Sequence, residues 1–499
     1  MQTTAGAKGV IRRLFTFLTT DDSRQIDLEL PYTILMFALM TASGVTLYEA
    51  WKKLRTVNLL PRTCNEAKEI VRRVEVLARD PLTVMYRIAE ETKSKAYREF
   101  LVGYVSAMKS GGNILSFLKS KLTSILATRS AAAKQSVETL ATLVEVYTVM
   151  LVVTLCCYIL FIVMFSSGIL NVMGVSASIE VSPVTYFLFM FLTSLISVTL
   201  MVIAHLTRRS NLVALKRPYL IAIFPLVGVL LFVLMIMIFP QLQFIVDTLG
   251  APTLSLVCLL IISVPPIFSY RRIAKVNFAA EEAMPSFLRD VTEARKTGLS
   301  PETCIIQASK RREYGSFSKV LQSVRNQIEW GVPLRTIFRN INEHLKSWPV
   351  LVNFFVLIES IEVGGGSAAA LEILTDYSEK SRDVEKTKRN MLRPYILLSF
   401  IWSILLAFTM TTLTMIMNAL NQMTVVGVTQ ITMAIQPAMG LFSAGVVFQC
   451  WLSGFFMGKV SDGSFAAGFR YSAMLAIAAY ISLLLSQSLL GDMFSLIPT

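Results

Sequence analysis

The segment of this chain closest to a catalytic motif is a near miss. Gly454-Phe-Phe-Met-Gly-Lys459 is similar in kind to a phosphate loop, G-x-x-x-x-G-K-[ST]. In that loop backbone N–H groups cradle phosphate oxygens and the lysine reaches the outer ones. The segment here is one residue short and lies at the end of an apolar stretch. ATP hydrolysis by this chain is therefore not expected. The two histidines, His205 and His344, are far apart and do not have H-E-x-x-H spacing, so no metal site is expected. The acid pair of the G-x-G-D kind that an intramembrane hydrolase needs is missing from the sequence. Six cysteines, at 64, 156, 157, 258, 304 and 450, complete the inventory, and the adjacent pair Cys156 and Cys157 reads as packing. The residues thus predict no catalytic, cofactor-binding or metal-binding site, and no enzyme.

The remaining chemistry is charge, and charge is distributed with a strong bias. Seven long apolar stretches run over about Val146–Phe165, Val184–Ala204, Tyr219–Phe239, Thr253–Tyr270, Tyr395–Met417, Ala434–Met457 and Tyr471–Leu490. Each approaches the roughly 20 residues that a helix needs to cross a hydrocarbon core about 30 Å thick. When the segments between them are assigned alternately to two sides, all 47 Lys and Arg fall on the side of the N-terminus. Cytoplasmic loops collect Lys and Arg, so the N-terminus is expected in the cytoplasm and the C-terminus outside. Arg208, Arg209, Lys216 and Arg217 hold one short connection inside, and Lys459 and Arg470 hold another. Every cysteine lies in a span or on the inner side, which excludes a disulfide framework. Asp21 and Asp22 interrupt any signal-peptide core after Arg12 and Arg13. The net charge of +14 and the 54% hydrophobic content read as membrane topology and not as nucleic-acid binding. The spans hold no Asp, Glu, Lys or Arg, and intramembrane charges mark ion and proton pathways, so a proton-coupled transporter is disfavoured.

Two large inner blocks must carry the function. The chain divides into an N-terminal helical domain (1–143), four transmembrane helices (144–270), a second helical domain (271–393) and three further transmembrane helices (394–499). The first block holds 21 basic and 13 acidic residues, and the stretch from Arg271 to Arg393 holds 20 and 15, the mixed charge of folded domains. The second block shows helical periodicity. Phe317, Val320, Leu321, Val324 and Ile328 mark one apolar face, and Leu334, Ile337, Phe338, Ile341 and Leu345 mark another. A third helix is expected from Ser347 to Val363, stopping at Gly364, Gly365 and Gly366, and a fourth from Ser367 to Asn390.

The two blocks look related. Pro31 and Gly44 have the same separation as Pro285 and Gly298. In both, the pattern predicts a helix starting near the proline and ending at the glycine, which takes a left-handed turn easily. A second helix then starts at Thr46 or Ser300, both suitable caps. Ser110–Leu118, containing Gly111 and Gly112, is similar to Glu329–Phe338, containing Gly331. Leu30–Tyr48 carries no charge and is long enough to span. Its counterpart carries Arg289, Asp290, Arg295 and Lys296, so it is read as a buried or interfacial helix. Gly440-x-x-x-Ala444 and Gly454-x-x-x-Gly458 are small-residue spacings that let spans approach closely, and Gln436 and Gln449 suit contacts between spans. The fold class is all-α: a polytopic membrane protein with about seven transmembrane helices and two homologous helical-bundle domains.

At this point the chain resembles the type II secretion system F superfamily, and its archaeal branch in particular. The residues that carry the likeness are Asp80, Pro81 and Leu82, then Arg98, Glu99, Phe100, Leu101, Gly103 and Tyr104, then Ser110, Gly111, Gly112 and Asn113. In the second block Ile358–Leu374 is similar to the superfamily's G-E-x-x-G-x-L-x-x-x-L region. It departs from that pattern at Ser360 and in its three consecutive glycines. The resemblance implies an inner-membrane platform for a type IV pilus or archaellum, without a cofactor. Implied partners are a hexameric secretion ATPase, pilin or archaellin subunits, membrane lipids and a second copy in a homodimer, with no nucleic acid. Basic clusters beside the membrane could meet an acidic ATPase surface: Arg271, Arg272 and Lys275, and Lys386, Lys388, Arg389 and Arg393. Gly44, Gly111, Gly112, Gly298, Gly331, Gly364, Gly365 and Gly366 are expected as helix stops that could also serve as hinges. A transporter or channel with large cytoplasmic domains is the alternative reading.

Overall fold

A computed structural model describes residues 22–57, 59–166, 183–207, 216–239, 243–311, 313–423 and 429–495. Among them every regular element is a helix, and no strand forms. In chain order the helices are α1 (Asp22–Ala42), α2 (Leu47–Leu54), α3 (Pro61–Leu77), α4 (Pro81–Glu91), α5 (Lys95–Lys109), α6 (Ile114–Ser166), α7 (Pro183–Thr207), α8 (Lys216–Ile238) and α9 (Gln243–Leu249). They continue as α10 (Ala251–Lys296), α11 (Pro301–Ser309), α12 (Ser318–Glu329), α13 (Leu334–His344), α14 (Trp348–Gly364), α15 (Ala368–Met423), α16 (Thr429–Asp462) and α17 (Phe465–Ser495). The chain forms two compact units. Unit one joins Met1–Ala132 with Lys275–Glu385, and unit two joins Ala133–Ala274 with Lys386–Thr499.

Unit one is built from both blocks around one core. The charge-free helix α1 is its axis: Leu30, Tyr32, Ile34, Leu35, Met36, Phe37, Ala38 and Leu39 are all buried. Tyr32 packs edge-on against Trp348 of α14, with ring centroids 4.9 Å apart, and against Tyr377 of α15 at 5.3 Å. Phe37 does the same with Trp51 of α2 at 4.7 Å. Edge-to-face pairs contribute about 0.5–1.5 kcal/mol each beyond the area they bury. The absence of charge in Leu30–Tyr48 thus reflects burial in a protein core. The predicted faces of the second block are the ones used: Phe317, Leu321 and Val324, and Ile337, Ile341 and Leu345, are buried.

The helix starts differ from the proline-based expectation. Pro31 lies inside α1, and Pro285 lies inside the 46-residue α10. A proline removes only its own bond to the carbonyl four residues back, so flanking bonds can carry a helix through it. The matching of repeats also needs one correction. Each repeat runs through the same succession of helices, α1 to α6 and α10 to α15, and in that order Gly111 and Gly112 before α6 correspond to Gly365 and Gly366 before α15. Gly331, between α12 and α13, corresponds to the end of α3, where Ala78 takes the left-handed conformation at φ 46°. A glycine turn and a left-handed alanine do the same work, which hid the equivalence.

The repeats share a polar device besides their order. Asp27, one helical turn before Pro31, accepts a hydrogen bond from Ser94 Oγ, and Ser94 caps α5 by accepting from Tyr97 N at 3.0 Å. Glu281, one turn before Pro285, accepts from Ser347 Oγ at 2.7 Å, and Ser347 stands at the cap of α14.

Unit two contains the apolar helices. Among the described residues six are long and apolar enough to cross a membrane: Ile114–Cys157, Arg217–Ile236, Ala251–Lys296, Ala368–Met415, Gly440–Asp462 and Phe465–Leu489. The seventh expected stretch, Val184–Ala204, lies on α7, whose described apolar part, Thr193–His205, is shorter than a span. Arg208 and Arg209, and the chain before residue 22, lie outside the described residues. Helix α16 is central, with Val446, Val447, Phe456 and Val460 fully buried among α6, α7, α10, α15 and α17. Helix α8 is apolar on all sides and turns Leu220, Phe224 and Leu231 outward, as a lipid-facing helix does.

Candidate functional site

The structure places the basic residues on two helices. Arg271, Arg272 and Lys275 lie on α10, one turn apart, and all three are exposed. Lys386, Arg389 and Arg393 follow i, i+3, i+7 on α15 and share one stripe, with Lys388 beside it. Lys386 and Arg393 are exposed, whereas Lys388 and Arg389 are half-buried and engaged in interactions of their own. Arg389 acts electrostatically on Tyr270, the neighbour of Arg271, so the basic segments of α10 and α15, both inside their helices, come together in unit two. The surface of unit two available to a partner is Arg271, Arg272, Lys386 and Arg393, and Lys275 belongs to unit one.

The glycine stops divide into two kinds. Gly44, Gly111, Gly298, Gly331, Gly365 and Gly366 have left-handed φ angles between 60° and 90°, whereas Gly112 and Gly364 do not, and Gly364 is the last residue of α14. The turn before α15 is the most constrained. A Cβ on Gly366 would meet Ile361 Cγ1 at 3.1 Å and Pro301 Cγ at 3.3 Å. Arg295 fixes the same turn: its Nε donates to the Gly366 carbonyl at 2.8 Å, Nη2 to Gly365 at 3.2 Å, and Nη1 to Leu299 at 2.6 Å. A guanidinium holding three carbonyls makes this a rigid corner.

Three features carried no sequence signal. Glu29 is buried, and its carboxylate accepts from Thr63 N at 2.7 Å and Arg62 N at 3.2 Å, at the N-terminus of α3. Burial raises its pKa above the ordinary 4.5, and the two backbone donors oppose that rise. Glu359 on α14 is likewise raised by burial, against the pull of Arg335, which bridges Glu359 at 3.1 Å and Glu362 at 2.6 Å. Glu69 and Glu91 are lowered, each by hydrogen bonds from Arg73 first. The third feature is exposure: Trp330, 81% exposed, follows α12, and Val76, 73% exposed, lies at the equivalent end of α3.

The near-miss motif has a packing role. A Cβ on Gly454 would stand 2.2 Å from the Ser472 backbone, and one on Gly458 2.3 Å from Gly468 Cα. These glycines let α16 and α17 touch backbone to backbone. Lys459 Nζ donates to the Gly463 carbonyl at 2.8 Å and lies 5.4 Å from the Phe465 ring centre, closing the hairpin. His205 stacks on the same ring at 5.3 Å. His344 Nδ1 lies 2.9 Å from the Asn340 carbonyl. Among the described residues no group of three or more His, Cys, Asp or Glu is placed to hold a metal ion. Gln449 serves a contact between spans, its Nε2 donating to Ser197 Oγ at 2.6 Å. The side chain of Gln436 lies outside the described residues.

Residues 33–162 and 287–415 each match the family profile described as type II secretion system (T2SS), protein F. An uncharacterized protein of Methanocaldococcus jannaschii is 21% identical over 492 residues, covering 93% of this chain and 80% of the relative. No solved structure matches.

Proposed function

This chain belongs to the type II secretion system protein F family, and we propose that it is the assembly platform of an archaeal type IV pilus-like filament. Proteins of the family are multi-pass, non-catalytic membrane platforms that work with secretion ATPases and pilins in general. On our reading unit one faces the cytoplasm and docks a hexameric secretion ATPase. Its motion passes along α6, α10 and α15 into the spans, where pilin or archaellin subunits leave the bilayer for the filament. The observation that carries this reading is the doubled family domain, whose two copies share one core while three unbroken helices run from it into the apolar unit. The archaeal assignment rests on the Asp80–Leu82, Arg98–Tyr104 and Ser110–Asn113 motifs, and the archaeal relative supports it. The N-terminus inside and the C-terminus outside follow from the one-sided distribution of Lys and Arg. A homodimer in contact with anionic lipid completes the proposal.

The exposed basic segments of α10 and α15 are the proposed ATPase contact. Reversing Arg271, Arg272, Lys386 and Arg393 to Glu is expected to abolish co-purification of the ATPase and surface filaments while leaving the melting temperature unchanged, since surface substitutions stay within about 0.5 kcal/mol each. Normal co-purification and normal filaments would exclude this patch. A transporter predicts uptake by liposomes holding the purified chain alone, and the platform predicts none.

A further inference from the structure

Unit two contains a small pocket, mostly apolar but with a few polar groups, that the platform reading does not use. It lies among α6, α15 and α16, lined by Tyr147, Gln449 and Ser453 with Leu151 and Leu406 as apolar walls. Its free volume is about 10 Å³. On that scale one water needs roughly 10–15 Å³.

Two of the lining residues carry a buried polar atom with no well-formed hydrogen bond, the Tyr147 hydroxyl and Gln449 Oε1. Their residues are 4% and 3% exposed. The other end of the Gln449 amide is occupied by Ser197 Oγ, which itself donates to the Thr193 carbonyl at 3.3 Å. Turning the amide over would put its N–H₂ into the pocket instead, so one polar atom faces the pocket either way. Ser453 Oγ donates to the Cys450 carbonyl at 2.7 Å and keeps its lone pairs for a second bond. Ser197 and Ser453 both interact with the Tyr147 hydroxyl, though neither makes a well-formed hydrogen bond with it. Stacking on Phe456, with centroids 4.3 Å apart, fixes the phenol in place. Unpaired polar groups are costly inside protein and more so in a spanning region, where bulk water cannot serve them. Polar groups left without a well-formed hydrogen bond beside a water-sized space are the arrangement that one water completes.

We propose that this pocket is a built hydration site. One internal water accepts the Tyr147 O–H and donates to Gln449 Oε1 and Ser453 Oγ, clasping α6 to α16. Two conservative variants of the full chain in lipid nanodiscs test it. Tyr147→Phe keeps the ring and its stacking, and Ser453→Ala keeps the helix. With the water present each lowers the melting temperature by roughly 2–4 °C, and the double variant loses less than the sum, because the first change already releases the water. An unchanged or raised melting temperature in Tyr147→Phe would overturn the proposal, since deleting an unpaired hydroxyl relieves a cost. A density map that resolves ordered water decides directly. One water-sized peak within bonding distance of the three groups supports the site, and a resolved pocket that holds no peak, or a larger molecule, overturns it.

Discussion

Glu29 shows how one side chain can set the pH response of unit one. Its carboxylate is held inside the protein by two backbone N–H groups, yet burial outweighs them and its pKa stands above 4.5. The folded chain then binds its proton more readily than the unfolded one. Between 4.5 and the raised folded value, stability therefore falls as pH rises, the reverse of an ordinary salt-bridged carboxylate. Glu359 acts in the same direction, while Glu69 and Glu91 oppose it, because their lowered values add stability that is lost on acidification. In Glu29→Gln the melting temperature should gain less than wild type on going from neutral pH toward 5. Equal pH slopes in the two proteins would mean that this carboxylate is fully compensated. Sequence reading could not find Glu29. Nothing near it in the chain marks it, and the helix end it caps begins more than thirty residues later.

At the scale of elements, the legible features were those that depend on neighbours in sequence. The apolar faces of α12 and α13, the cap at Ser300 and the left-handed stops at Gly44 and Gly298 all follow from local spacing, and all are present. Pro31 and Pro285 misled as helix starts because a proline forbids one bond and not a helix. The first repeat's Ala78 concealed its match to Gly331, because alanine at φ 46° gives no sign in the sequence of the turn it makes. That Tyr32 would pack against Trp348 and Tyr377, merging two blocks into one core, lies beyond any local pattern. Small-residue spacing in spans was legible as a type of contact but not as a particular one. Gly458 against Gly468 is among the closest approaches, and Gly454 against Ser472 repeats it one turn earlier. Gly458→Ala should force α16 and α17 apart and lower stability by about 1–3 kcal/mol, the usual cost of overpacking. Gly228→Ala on α8, where nothing lies within 4 Å, is the matched control and should be neutral or slightly stabilising. Thermal unfolding of the two variants in one detergent compares them, and equal melting temperatures would contradict the close packing of the hairpin.

For the whole molecule, the platform reading requires that movement in one unit reach the other through helices that do not bend freely. Helices α10 and α15 carry interior prolines, at 265, 266 and 285 (besides Pro252 in the first turn of α10) and at 394, whereas α6 runs for 53 residues with none. An interior proline-free helix is the stiffer connector, because each carbonyl keeps its partner. Lys134 sits on α6 next to the division between the units and is exposed, so its side chain can be changed without disturbing either core. Lys134→Pro removes one backbone bond and clashes with the turn before it, a local cost of about 3 kcal/mol. Lys134→Ala removes the charge and keeps the helix. If α6 transmits the motion, Lys134→Pro should accumulate in the membrane and bind the ATPase normally but assemble few filaments, while Lys134→Ala assembles them at wild-type level. Wild-type filament numbers in the proline variant would show that α6 merely tethers the units, and would move transmission to the proline-bearing helices α10 and α15. Loss of filaments in both variants would assign the effect to the charge of Lys134 and leave the stiffness of α6 without a role.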